Sequence, residues 1–75
     1  MTITTQLAAF AGIANVTIVD NAAWVFGADY MVAARATRRA VIWEVTDMDA
    51  QEEIGGTFST ARAAIDFALA RGPIA

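Results

Sequence analysis

The chain has 75 residues, of which 57% are hydrophobic and 17% are charged, and its formal net charge is -3 with a pI near 4.5. This length is enough for one small domain, and the apolar content excludes a disordered chain. The acidic balance argues against direct nucleic-acid binding, which depends on a basic surface. The sequence lacks cysteine, histidine and lysine, which excludes thiolate and imidazole metal sites and amine nucleophiles. We therefore expect a single domain over residues 1–75 that binds protein partners and uses no metal or cofactor.

The first 19 residues carry no charged side chain. A signal peptide needs a basic region before its apolar stretch, and a spanning helix needs about 20 mostly apolar residues, whereas polar side chains interrupt this segment. We expect a cytoplasmic protein that is not embedded in a membrane; the alternative is that this stretch is a targeting segment. Residues 6–14 are expected to form a helix and residues 16–19 a β-strand. The helical spacing predicts one buried face, formed by Leu7, Phe10, Ala11 and Ala14.

The middle of the chain has the alternation typical of β-strands. Asp20 and Asn21 form a turn signal, and the apolar stretch 22–26 follows, which the pattern does not place in a hairpin or elsewhere. Alternation over residues 30–36 and 41–46 predicts two antiparallel strands. Their expected core residues are Tyr30, Val32, Val41, Trp43 and Val45. Residues 52–58 are expected to form a third strand of this meander, with either a bulge or a close approach of another backbone at the paired glycines.

The C-terminal segment contains the clearest helix of the sequence. Ser59 is the expected N-cap, the spacing of apolar residues from Ala61 to Leu69 is helical, and Gly72 with the following proline ends the helix. We therefore predict an α+β fold, an antiparallel sheet of three to five strands with one or two helices packed on one face. Phe67 is expected to face away from the sheet in a second apolar strip, which allows an alternative function as a self-associating protein that forms a homodimer.

Charged residues cluster at what should be the two ends of one strand. Four of the eight acidic residues, Asp47, Asp49, Glu52 and Glu53, fall close together after this strand, and three of the five arginines, Arg35, Arg38 and Arg39, fall before it. The acidic group lacks the glycine and glutamate that a calcium loop requires at its sixth and twelfth positions. We expect the acidic group to bind a basic partner surface. The arginines, with Phe67, are expected to form a secondary interface.

The residues do not predict an enzyme. Ser59 is the single serine of the chain, and no histidine, lysine or cysteine is present to activate it. The glycine-rich residues 55–60 lead into a helix N-terminus and allow an anion site, but they lack the spacing of established phosphate loops. We therefore expect a non-catalytic binding protein.

The order of elements from Tyr30 to Gly72 is strand, strand, a third strand ending in IGGTF at residues 54–58, and a capped helix. This order resembles the layout of several small phage-encoded anti-CRISPR proteins, which are short, often acidic and without catalytic residues. Those proteins share no common motif, so the resemblance assigns a role to no residue. It implies an inhibitor that docks on a host nucleoprotein effector complex and blocks nucleic-acid binding or nuclease recruitment.

Overall fold

A computed structural model describes residues 3–74 as a five-stranded antiparallel sheet with two helices, which confirms the α+β fold. The strands lie across the sheet in chain order. Each strand pairs with the next strand of the chain, and a short connection joins the two. The elements are α1 (Ile3–Ala8), β1 (Val16–Val19), β2 (Ala22–Val25), β3 (Tyr30–Ala36), β4 (Val41–Asp47), β5 (Glu52–Phe58) and α2 (Ala61–Arg71).

The hydrophobic core lies between the helices and one face of the sheet. Side chains alternate between the two faces of a strand, and the inward positions of the three central strands carry fully buried residues such as Val32, Trp43 and Val45. The predicted core positions Tyr30, Val32, Trp43 and Val45 are thus confirmed, and Val41 is half-buried at the core margin. α2 lies across this face and buries Ala61, Ala64, Ile65 and Ala68.

The N-terminal helix differs from its prediction. It spans Ile3–Ala8 instead of residues 6–14, and the chain continues through turns whose N–H groups donate to carbonyls three residues earlier. Positive φ angles at Gly12 and Asn15 are incompatible with a continuing helix. Leu7 and Phe10 still enter the core as expected, but the predicted burial of Ala11 and Ala14 is wrong because both are exposed. Met1 and Thr2, part of the segment considered for targeting, lie outside the described residues.

The stretch whose pairing the sequence leaves open is a full member of the sheet. β2 pairs with β1 on one side and with β3 on the other. A two-residue connection, Asp20-Asn21, joins β1 to β2, with a positive φ at Asp20. Ala23 and Val25 of β2 are completely buried. The alternation therefore turns Trp24 to the opposite face of the sheet.

Side-chain hydrogen bonds fix both ends of α2. Thr60, not the expected Ser59, is the N-cap, and its Oγ1 accepts a hydrogen bond from the Ala63 N–H at 3.1 Å. The Gln6 amide of α1 accepts from the Ala61 N–H at 2.8 Å. At the other end Gly72 has φ 78°, and its carbonyl accepts from the Tyr30 hydroxyl at 2.8 Å. These contacts join α2 to α1 and to β3.

Phe67 does not face away from the sheet as predicted. Its ring lies 5.3 Å from the ring of Phe58 on β5, measured between centroids. It also lies over the backbone of Gly55, where a side-chain Cβ atom would sit 2.7 Å from the Phe67 Cζ atom. The pairing of β5 with β4 shifts register at Gly55 and Gly56, which forms a bulge in β5 at this contact. Phe67 therefore does not provide the outward-facing ring that the homodimer alternative requires.

The first prediction compares alanine substitutions at the two neighbouring glycines of β5. Both have similar positive φ, 77° at Gly55 and 76° at Gly56, but a Cβ at Gly56 meets no heavy atom within 4 Å. Gly55→Ala should therefore destabilise the protein by about 1–3 kcal/mol more than Gly56→Ala, because only Gly55→Ala overpacks the Phe67 contact. Urea unfolding followed by tryptophan fluorescence measures this difference. Equal losses of stability would show that the Phe67 ring moves aside without cost.

Candidate functional site

The two charged connections flank the β3–β4 hairpin at opposite ends. Arg38 and Arg39 lie in the connection between β3 and β4, and Asp49 lies in the connection between β4 and β5. β4 has seven residues, which separates these connections by about 20 Å. All three side chains are exposed. One end of the sheet thus presents positive charge and the other presents negative charge.

The four acidic residues of the predicted contact surface do not form one cluster. Asp47 closes the β4–β5 turn, because its Oδ1 atom accepts hydrogen bonds from the N–H groups of Asp49 at 3.0 Å and Ala50 at 2.9 Å. Glu53 pairs across the sheet with Thr46, whereas its neighbour Glu52 pairs with Asp47, so the two glutamates point to opposite faces. Asp49 and Glu52 are exposed. These two form the acidic end of the molecule, and Glu53 belongs to a different surface.

Arg35 is also separate from Arg38 and Arg39, its neighbours in the sequence. Its Nε atom donates to Oε1 of Glu44 at 3.2 Å, and its Nη2 atom donates to Oε2 at 3.3 Å. The side chain of Arg35 is 59% exposed and that of Glu44 is 20% exposed. The sequence alone does not predict this pair because it depends on the strand register, in which Arg35 pairs with Ile42 and Glu44 with Ala33.

Glu53 lies beside this ion pair and adds a second carboxylate. The hydrogen bond from Arg35 lowers the pKa of Glu44, and the contact with Glu53 acts in the same direction. The hydrogen bond and negative charge of Glu44 raise the pKa of Glu53. The Arg35 guanidinium therefore interacts with two neighbouring carboxylates, those of Glu44 and Glu53. When both carboxylates are ionised, this group has one more negative charge than positive charges.

The face of the sheet opposite the helices carries these charged residues together with apolar ones. We call it the outer face. One row of directly paired residues crosses all five strands, and it consists of Thr17, Trp24, Met31, Thr46 and Glu53. Val19 is 48% exposed, and Trp24, Met31 and Ile42 are half-buried. Neither helix of the described chain covers this face. In the sequence, the outer face is indicated only by the alternation of residues in β2. This alternation is weak because one of the inward positions of β2 is an alanine.

A cavity of about 420 Å³ lies between α1 and the start of α2. Its lining is mostly apolar, and the Arg62 guanidinium carbon lies 5.7 Å from the centroid of the Phe10 ring. Two of the helix N–H groups that an anion site would use are already engaged, since Ala61 donates to Gln6 and Ala63 donates to Thr60. The cavity therefore offers mainly apolar surface.

Residues 3–74 contain neither a cluster of metal-ligating side chains nor a helix that could span a membrane. No group of three acidic side chains in this range is arranged to hold a metal ion. Within the same range, neither helix has the length and apolar character needed to span a bilayer.

Comparison of the chain with protein families, curated proteins and solved structures finds no match.

The two glutamates of the outer face affect stability in opposite directions as the pH changes. The pKa of Glu44 is lowered by folding, so its contribution is present above its unfolded pKa and lost as the pH falls through the folded pKa. The pKa of Glu53 is raised, so its contribution is present below its unfolded pKa and lost as the pH rises through the folded pKa. Ionised Glu53 therefore disfavours the folded state.

The second prediction tests this coupling by titration. In Glu44→Gln, the pKa of Glu53 should fall toward that of an ordinary glutamate, because the carboxylate that shares a hydrogen bond with Glu53 is gone together with its negative charge. Carbon-13 NMR of the side-chain carboxyl groups measures the midpoint. Glu52→Gln is the control, since it removes the same charge from the other side of β5 and should leave the Glu53 midpoint in place. An unchanged midpoint in Glu44→Gln would show that the two carboxylates do not interact.

Proposed function

We propose that this protein is a non-catalytic protein-binding module whose acidic end docks on a basic surface of its partner. The observation that carries this proposal is the presentation of Asp49 and Glu52, both exposed, at the opposite end of the β3–β4 hairpin from Arg38 and Arg39. Because the two ends differ in charge, a basic partner is attracted to one end and repelled from the other. The charge therefore sets the orientation of the complex.

The connection between β4 and β5 is built to hold its acidic residues in place. The Asp47 carboxylate accepts two backbone N–H groups, and the Gln51 side-chain amide donates to the Met48 carbonyl within the same turn. The Met48 N–H in turn donates to the Asp29 carbonyl at 2.9 Å, which joins this turn to the β2–β3 connection. An ordered turn loses less conformational entropy on binding than a flexible one.

The partner class in this proposal is a host nucleoprotein effector complex. Such complexes hold nucleic acid in positively charged channels, and exposed carboxylates on a rigid turn can occupy such a channel in place of phosphates. The resemblance of the element order to anti-CRISPR proteins supports the same class. The protein would then act in the cytoplasm as a phage-type inhibitor, blocking either nucleic-acid binding or nuclease recruitment.

The third prediction concerns charge reversal at the acidic end. Asp49→Lys/Glu52→Lys should lose inhibition, whereas the control Asp20→Lys/Asp66→Lys should keep it. Each variant replaces two acidic residues by lysines, so each net charge rises by four from -3 to +1. The assay incubates each protein with a panel of purified guide-loaded CRISPR effectors and measures binding of labelled target DNA by gel shift and its cleavage by gel electrophoresis. Thermal unfolding verifies that both variants are folded.

The two readouts separate the possible mechanisms. Loss of the gel shift with the parent protein indicates a blocked nucleic-acid path, and normal binding without cleavage indicates blocked nuclease recruitment. Equal loss of inhibition in both variants would show that net charge, and not the acidic end, determines binding. If the parent protein inhibits no effector of the panel, the inhibitor function is contradicted.

A further inference from the structure

The outer face combines an apolar region with an unbalanced negative charge. Trp24 and Met31 are adjacent in the row that ends at Glu53. The next row, beside them, has small side chains at Ala22 and Ala33 before it reaches Glu44. Large side chains thus stand next to small ones on the β1–β3 half, and the carboxylates occupy the β4–β5 half. The outer face is therefore uneven in shape on its apolar half and negatively charged on the other half.

Trp24 has no role in the core that would explain its presence. The inward positions of β2 are filled by Ala23 and Val25, which are completely buried without it. The indole is instead half-buried between its cross-strand neighbours Thr17 and Met31. Tryptophan is among the residues that contribute most to protein interfaces, because a large apolar ring is combined with one hydrogen-bond donor. Its position favours contact with another molecule.

The charge of the outer face identifies the kind of molecule. Two copies packed through this face would bring together four carboxylates, from Glu44 and Glu53 of each copy, with only the two guanidiniums of Arg35. A cation on the occupant, by contrast, balances the excess charge of Glu53 beside the Arg35–Glu44 pair.

We propose that the outer face binds a protein segment that places apolar side chains on Trp24 and Met31 and one arginine or lysine on Glu53. Trp24 and Glu53 are three strands apart in one row, a separation of about 14 Å. In an extended pentapeptide, residues 1, 3 and 5 point to one face and span a similar distance, about 14 Å. A short segment lying across the strands can therefore reach both residues at once.

This surface is distinct from the acidic end, and the inference rests on the proposed function only in that the occupant is a protein. Glu53 and Glu52 lie on opposite sides of β5. A peptide experiment on the outer face needs no effector complex. If the peptide does not bind, the proposal that Asp49 and Glu52 bind the partner still stands. If the protein inhibits no effector, the proposal for the outer face still stands.

The test is an NMR titration of the isotope-labelled full chain with two synthetic peptides, acetyl-LTLTR-amide and acetyl-LTLTE-amide, whose first, third and fifth side chains share one face. The LTLTR peptide should shift the indole N–H of Trp24 and amides of β2 to β5 in a saturable way. Its affinity should exceed that of LTLTE by about fivefold, because the exchange of arginine for glutamate replaces attraction to Glu53 by repulsion. Glu53→Gln should abolish this preference, and the matched control Glu52→Gln should retain it. Trp24→Thr, which keeps a strand-forming residue, should weaken both peptides.

Several results would overturn the proposal. No saturable shift with LTLTR at about 10 mM, equal affinity for both peptides, or shifts confined to the helical face would each do so. Sedimentation equilibrium of the unliganded protein tests whether the outer face instead binds a second copy of the chain. A dimer that Trp24→Thr converts to a monomer would assign the outer face to a second copy of the chain.

Discussion

The seating of α2 on the sheet depends on the contact between Phe67 and the bare backbone of Gly55. A Cβ atom at Gly55 would lie 2.7 Å from the Phe67 Cζ atom, so the ring packs this closely on β5 only because this residue is glycine. The approach places Ala61, Ala64, Ile65 and Ala68 on the inner face, with Trp43 and Ile65 completely buried there. At the far end Gly72 reaches the Tyr30 hydroxyl. A helix fixed at this depth over the inner face covers that side of the sheet and leaves the other uncovered.

Much of the fold follows from local patterns in the sequence. Alternation in β3 and β4 and the helical spacing of α2 correspond to elements whose inward side is deeply buried, so the patterns are strong. The prediction of α1 is wrong at both ends because Ile3 and Thr4, which carry little helical signal, are in the helix, while positive φ at Gly12 excludes its continuation. The placement of Phe67 could not be predicted, although the paired glycines suggest a bulge, because it depends on which side chain of α2 meets Gly55.

The candidate surfaces were less predictable than the fold for a physical reason. Grouping charges by their distance along the chain brings together Arg35, Arg38 and Arg39, but alternation and register assign Arg35 to Glu44. In the same way Glu52 and Glu53 are adjacent in sequence and opposite in direction. Surface charge on a sheet is organised by rows across strands, and rows depend on the register between distant residues. Only the separation of the two turns could be derived from the strand length.

The last strand has a consequence for the behaviour of the protein at high concentration. β5 lies at the margin of the sheet, and a straight marginal strand offers unpaired peptide groups on which further chains can polymerise into fibrils. Two consecutive glycines with positive φ twist this strand out of register with any incoming neighbour, and the adjoining Glu52 and Glu53 repel a like-charged one. The glycine pair that admits the phenyl ring of the helix thus also disfavours the pairing of a further strand at this edge.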